Sequence, residues 1–128
     1  EDDVKKLSNI EFVGFKTGDE LRELIQKAKF SVYPSECNEN CPFSVLESQM
    51  YLTPVIGSNI GGIPELIQVG KTGELFEAGN SDDLYNKIRM LNDSPELLQE
   101  YTDNCKNIDI ETTESYYKKL MKIYEGKI

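Results

Sequence analysis

The sequence predicts an α/β fold: a Rossmann-like parallel sheet with helices on both faces. Two observations carry this. Short β-branched or aromatic runs alternate with stretches of helical period, and the breaks between them hold glycine and proline. The order reads β-α-β-α-β-loop-β-α-α-α, and alternating units of this kind form parallel sheets joined by crossovers. With 128 residues, the chain has the size of a single domain.

The elements follow in order. Asn9–Phe15, "NIEFVGF", is apolar, β-branched and polar-flanked, which predicts a strand. In "TGDELRELIQKAK", Leu21, Leu24, Ile25 and Ala28 share one helical face, with Thr17 or Asp19 as the cap. Phe30–Ser35 reads as a short buried strand broken by Pro34. "CPFSVLESQMY" reads as a helix with Pro42 in its first turn, where a missing N–H costs nothing. Thr53–Ser58 is a second buried strand. "IGGIPELIQVGKTG" is a glycine-rich loop with one helical turn at Pro64–Ile67, and Glu74–Phe76 is a short strand. Ser81 is the expected cap of a helix striped by Leu84, Ile88 and Leu91. Ser94 and Pro95 open the next helix. Tyr117, Leu120, Met121 and Tyr124 form a docking stripe on the last. The acidic start, Glu1 to Asp3, reads as a solvated end.

Composition narrows the function. The net charge of −9 opposes a nucleic-acid partner, which needs clustered Lys and Arg, and opposes anionic lipid. No apolar run approaches the roughly 20 residues that span a bilayer, and no signal peptide is read at the start. Cys37, Cys41 and Cys105 are an odd set, and Cys37 and Cys41 are too few for a closed zinc site. Reduced thiols in the cytoplasm are expected. There is no histidine, so Ser-His and Cys-His nucleophile pairs are excluded. Chemistry must run on carboxylates, hydroxyls, lysines or the substrate itself.

In "PSECNENCPFSVLESQMYLTPVIGSNIGGIPE", Glu39 and Glu47 stand eight positions apart around Pro42. A helix opened by Pro42 leaves the N–H groups of Phe43, Ser44 and Val45 free to meet an anion. Carboxylates repel phosphate but accept well from hydroxyls. A ligand with a diphosphate centre and hydroxyl-rich arms, such as a nucleoside diphosphate sugar, fits this arrangement. On spacing alone the plainer reading stays open: Glu39 a solvated loop residue, Glu47 a helix-surface charge.

In the order strand plus "PS", Glu-x7-Glu, "PVIGS", "GGIPELI" and "LFEAGN", the chain resembles the C-terminal, donor-binding domain of family 4 glycosyltransferases. These are retaining enzymes of GT-B architecture. "ENCPFSVLE" is similar to the branch of surface or capsular polysaccharide assembly. The resemblance implies that Glu39 is catalytic, near the reacting sugar, and that Glu47 holds the ribose hydroxyls. Phe43, Ser44 and Val45 would meet sugar and diphosphate through their N–H groups. Gly61 and Gly62 would belong to the donor-binding set and let the neighbouring loop approach, and Glu65 would anchor their loop. It implies no metal or other cofactor, a nucleotide-sugar donor, and transfer of hexosyltransferase type to a glycan or lipid-linked acceptor. It also implies a cytoplasmic protein, free or peripheral at the inner membrane face.

There are departures. Ser44 replaces a common glycine, and "ESQMYLTPV" stands where the family has "EAMAxGxPV", so that Leu52 replaces a cap glycine whose left-handed position is costly for leucine; either a different cap geometry or a less well closed helix end is expected. Two strands with a Gly-Arg and a Lys that neutralise the diphosphate are absent, as is the acceptor domain. Lys71 is the only cation near the motif in sequence. The chain therefore reads as a fragment, inactive alone. "NIEFVGF" is expected to pair directly with Phe30–Ser35, and an exposed sheet edge makes self-association an expected property. The alternatives are a nucleotide-sugar-binding or assembly module without catalysis, and a GT-B epimerase, which the lack of histidine opposes.

Overall fold

The computed structural model describes residues 7–127. The acidic start lies outside them. A three-stranded parallel sheet organises the chain, with β1 (Ser31–Tyr33), β2 (Val55–Ser58) and β3 (Gly73–Phe76) in that spatial order. Ser31 pairs with Val55, and Val55 with Gly73. Helix α1 (Gly18–Lys27) precedes β1, α2 (Phe43–Met50) links β1 to β2, and the single-turn α3 (Ile63–Leu66) links β2 to β3. Helices α4 (Ser81–Asn92), α5 (Pro95–Cys105) and α6 (Thr113–Tyr124) follow.

Side chains alternate across a strand, so each face of β2 buries its own layer. Val55 packs with Val45, Ile63 and Ile67 from α2 and the α3 region. Ile56 packs with Phe76, and with Leu91 and Tyr101 from α4 and α5. The expected helices on both faces are therefore present. Polar groups inside come with partners. Gln49, 0% exposed, donates to Val45 O (3.3 Å) and Leu66 O (2.9 Å) and accepts from Thr72 Oγ1 (2.8 Å). Ser48 Oγ donates to Ser31 Oγ at 2.6 Å. Where the related motif carries Ala and Met, this chain thus carries two hydrogen-bonded polar residues.

One expected strand does not form. Asn9–Phe15 lies outside the sheet, and direct pairing with Phe30–Ser35 does not occur. Ile10, Phe12 and Val13 are exposed, and Phe15 is 93% exposed. The only backbone hydrogen bond within this stretch among the described residues runs from Ile10 N to Leu7 O, 3.4 Å. Apolar alternation supplies strand propensity, but a strand also needs a ladder partner and a layer to cover it. Here neither is present.

The helix ends also refine the reading. Asn80, not Ser81, caps α4, accepting from Asp82 N (3.1 Å) and Asp83 N (3.0 Å). Thr17 and Ser94 occupy cap positions without a side-chain bond. Pro42 sits at the cap position just before α2. Contrary to expectation, the end of α2 has neither a different cap nor a looser closure, because Leu52 itself adopts the left-handed φ of 65°. Leu52 N donates to Gln49 O and Thr53 N to Ser48 O, both at 2.9 Å, which is the Schellman closure that glycine usually makes. The Tyr117–Tyr124 stripe of α6 is open: Leu120 and Met121 are half-buried and both tyrosines exposed.

Candidate functional site

Parallel strands send all their carboxyl ends to one rim of the sheet, where ligands bind in open α/β folds. The loop after β1 (34–42) and the loop after β2 (59–62) meet at that rim. Ser58 Oγ, at the end of β2, donates to Tyr33 O (3.2 Å), at the end of β1. Ser35 Oγ accepts from Cys37 N (3.2 Å) and donates to Cys37 O (3.1 Å), which turns the chain at the start of the first loop. Gly62 N then donates to Glu39 O at 2.7 Å, joining the two loops.

Glu39 is half-buried in the first loop, and Glu47 is exposed on α2. Among the described residues neither carboxylate takes part in a side-chain hydrogen bond or ion pair, in contrast to Glu74 on β3. At the start of α2 the N–H groups of Phe43 and Ser44 have no partner among the described residues. Val45 differs from expectation. Its N–H donates to Pro42 O at 3.1 Å, and its side chain is 1% exposed in the core. The turn set by Pro42 closes one residue early and takes up that donor, so two N–H groups face outward instead of three. The Phe43 ring is 74% exposed.

Gly61 and Gly62 sit against the chain itself. A Cβ on Gly61 would lie 2.5 Å from Glu39 O, and one on Gly62 1.9 Å from Asn40 O. Gly61 also has φ +57°, a conformation glycine adopts readily. The expectation of a close approach holds, with the Glu39–Asn40 backbone as the neighbour. Glu65 is exposed, and its N–H donates to Gly62 O (3.2 Å) in the first turn of α3, while its side chain makes no hydrogen bond or ion pair among the described residues.

Lys71 lies on the turn entering β3, at the opposite end of the sheet from the site, where its carbonyl accepts from Asn104 Nδ2 (3.1 Å). Residues 34–47 and 59–66 contain no Lys or Arg. A bound diphosphate would thus meet N–H dipoles here but no side-chain cation. The rim also has a groove of about 390 Å³ behind α2, lined by Cys41, Phe43, Leu46, Glu65, Ile108 and Ile110 among others. The three cysteines are free, Cys37 and Cys41 exposed and Cys105 buried. No group of three or more Cys, Asp or Glu among the described residues is arranged to hold a metal.

Known proteins are similar to this chain in sequence and fold. Residues 2–108 match the family described as glycosyl transferases group 1. An uncharacterized glycosyltransferase of Methanocaldococcus jannaschii is 32% identical over 120 residues, covering 93% of this chain and 34% of that protein. A sulfoquinovosyl transferase of Arabidopsis thaliana is 40% identical over 83 residues, 62% of this chain and 16% of that one. The chain therefore spans about a third or less of the length of these relatives. The fold matches the Anabaena protein HepE, solved in complex with UDP, with a TM-score of 0.71 and 23% identity, over 76% of this chain and 26% of that one. With a family match over most of its length and the parallel α/β sheet beneath it, the chain belongs to the glycosyl transferases group 1 family.

Proposed function

We propose that this chain is the donor half of a retaining, family 4 glycosyltransferase of GT-B architecture. The whole enzyme moves a sugar from a nucleoside diphosphate to a hydroxyl on a glycan or lipid-linked acceptor held by another domain. One observation carries the reading: Glu39 and Glu47 bracket the start of α2, where two N–H groups have no partner among the described residues, at the carboxyl rim of the sheet. Family membership and the fold shared with a protein solved with UDP support it.

In this reading the Phe43 and Ser44 N–H groups receive donor oxygens, aided by the positive end of the α2 dipole. Glu47 accepts from the ribose hydroxyls. Glu39 accepts from the transferred sugar beside the breaking bond. No metal is required, and the cations for the diphosphate come from elsewhere in the enzyme. The enzyme works in the cytoplasm, free or peripheral at the membrane face, and the open edge of β1 gives this piece a tendency to self-associate.

The test is a ligand-observed NMR titration of this chain with UDP, GDP, ADP and their sugars, with Glu47→Ala as control. One nucleotide is expected to bind, and the variant to lose about 10- to 100-fold in affinity, the worth of a charge-assisted hydrogen bond. Binding that is unchanged in Glu47→Ala would overturn its role. In the full-length enzyme, Glu39→Gln is expected to abolish most turnover. A non-catalytic binding module would instead show no turnover to lose.

A further inference from the structure

We propose that Gly61 and Gly62 are positioning residues that set the place of Glu39, so that the loop after β2 grips the loop carrying the catalytic carboxylate. The inference rests on the reading of Glu39 given above. Three contacts make the grip. Gly62 N–H donates to Glu39 O at 2.7 Å. An added Cβ would come within 1.9 Å of Asn40 O at Gly62, and within 2.5 Å and 2.8 Å of Glu39 O and N at Gly61. These neighbours are backbone atoms, which cannot rotate aside as a side chain would. Any residue larger than glycine must push the two loops apart.

The gripping loop is itself rigidly mounted. Asn59 N donates to Phe76 O at 2.7 Å, and Ile63, directly after the glycines, is fully buried. Four residues thus run from the end of β2 to a core side chain with little slack. The gripped loop has few other holds. Between Tyr33 and α2, its remaining hydrogen bonds among the described residues are the Ser35–Cys37 turn and the Val45 N to Pro42 O closure. The position of Glu39 is therefore set from β2, through Gly62, rather than by its own loop. A displacement of about 1 Å at a reacting group costs on the order of 100-fold in rate.

The experiment measures kcat and donor KM of the full-length enzyme for Gly62→Ala, Glu39→Gln and the double variant. A further variant carries one glycine inserted after Asn59, which slackens the grip without adding bulk. Gly62→Ala is expected to lower kcat about 100-fold and shift donor KM by about threefold or less, and the insertion to do the same. The double variant is expected to be no slower than Glu39→Gln alone, because the lost positioning has nothing left to position. A loss in Gly62→Ala that falls on donor KM, or that multiplies with the Glu39→Gln loss, would overturn the proposal. So would an insertion variant with unchanged kcat. If Glu39→Gln itself keeps full turnover, the role of Glu39 fails. Amide exchange of Gly62 in this chain separates the two failures: protection keeps the grip, and free exchange removes it.

Discussion

Glu74 and Glu39 are both carboxylates beside the same small sheet, and their surroundings are opposite. Glu74 is 6% exposed and saturated: Tyr101 Oη donates at 2.6 Å and Lys87 Nζ at 3.1 Å. Glu39 is half-buried, and its side chain meets no partner among the described residues. A buried charge without partners would cost several kcal/mol, so the one under α4 and α5 is paired. At the rim, water can solvate the carboxylate. The difference separates carboxylates that hold the fold from those available for binding.

Substitutions on each side of this divide should behave accordingly. The largest stability effect is expected for Glu74→Ala, which strands the Tyr101 hydroxyl and costs about 2–4 kcal/mol, read by urea unfolding. A cost below about 0.5 kcal/mol would place Glu74 with the surface charges. Next comes Gln49→Met, which restores the residue type of the related motif. It leaves the Thr72 hydroxyl short of an acceptor and the Leu66 carbonyl short of a donor, and is expected to cost about 1–3 kcal/mol, read by urea unfolding.

Alkaline pH probes the same interior. Burial, then the bond to Glu74, raises the Tyr101 hydroxyl above its ordinary value of 10.0, and burial pushes the Cys105 thiol from 9.0 up to about 11. Both groups keep their protons longer in the folded chain, so the unfolded chain binds fewer protons above pH 9. Stability is then complete below about pH 9 and falls as pH rises through 11, with a smaller fall in Cys105→Ala, read from melting curves.

Smaller effects follow at the surface. Leu52→Gly relieves a left-handed leucine and is expected to add about 1 kcal/mol, seen as a raised melting temperature. The smallest change is expected for Glu39→Gln and Glu47→Ala, within about 0.5 kcal/mol of the parent. A large loss from either would move that residue to the structural side of the comparison.

The sequence made the local elements legible because their signals span only a few residues. The stripe of α1, the helix opened after Pro42, and the runs at Thr53–Ser58 and Glu74–Phe76 were all readable this way. The candidate site was not legible in spacing alone: Glu39, Glu47 and the Gly61–Gly62 pair were singled out through the family resemblance of the motifs that hold them. Tertiary structure decided what depends on distant partners. It left Asn9–Phe15 outside the sheet, because propensity cannot supply a neighbouring strand. It placed Lys71 at the start of β3, away from the rim, although the sequence puts it in the same glycine-rich stretch as Gly61 and Gly62. It set Gly61 and Gly62 against Glu39 and Asn40, a contact that exists only once β1 and β2 lie side by side. Propensity and capping act within a turn or two of the chain, whereas pairing and close approach depend on which segments packing brings together.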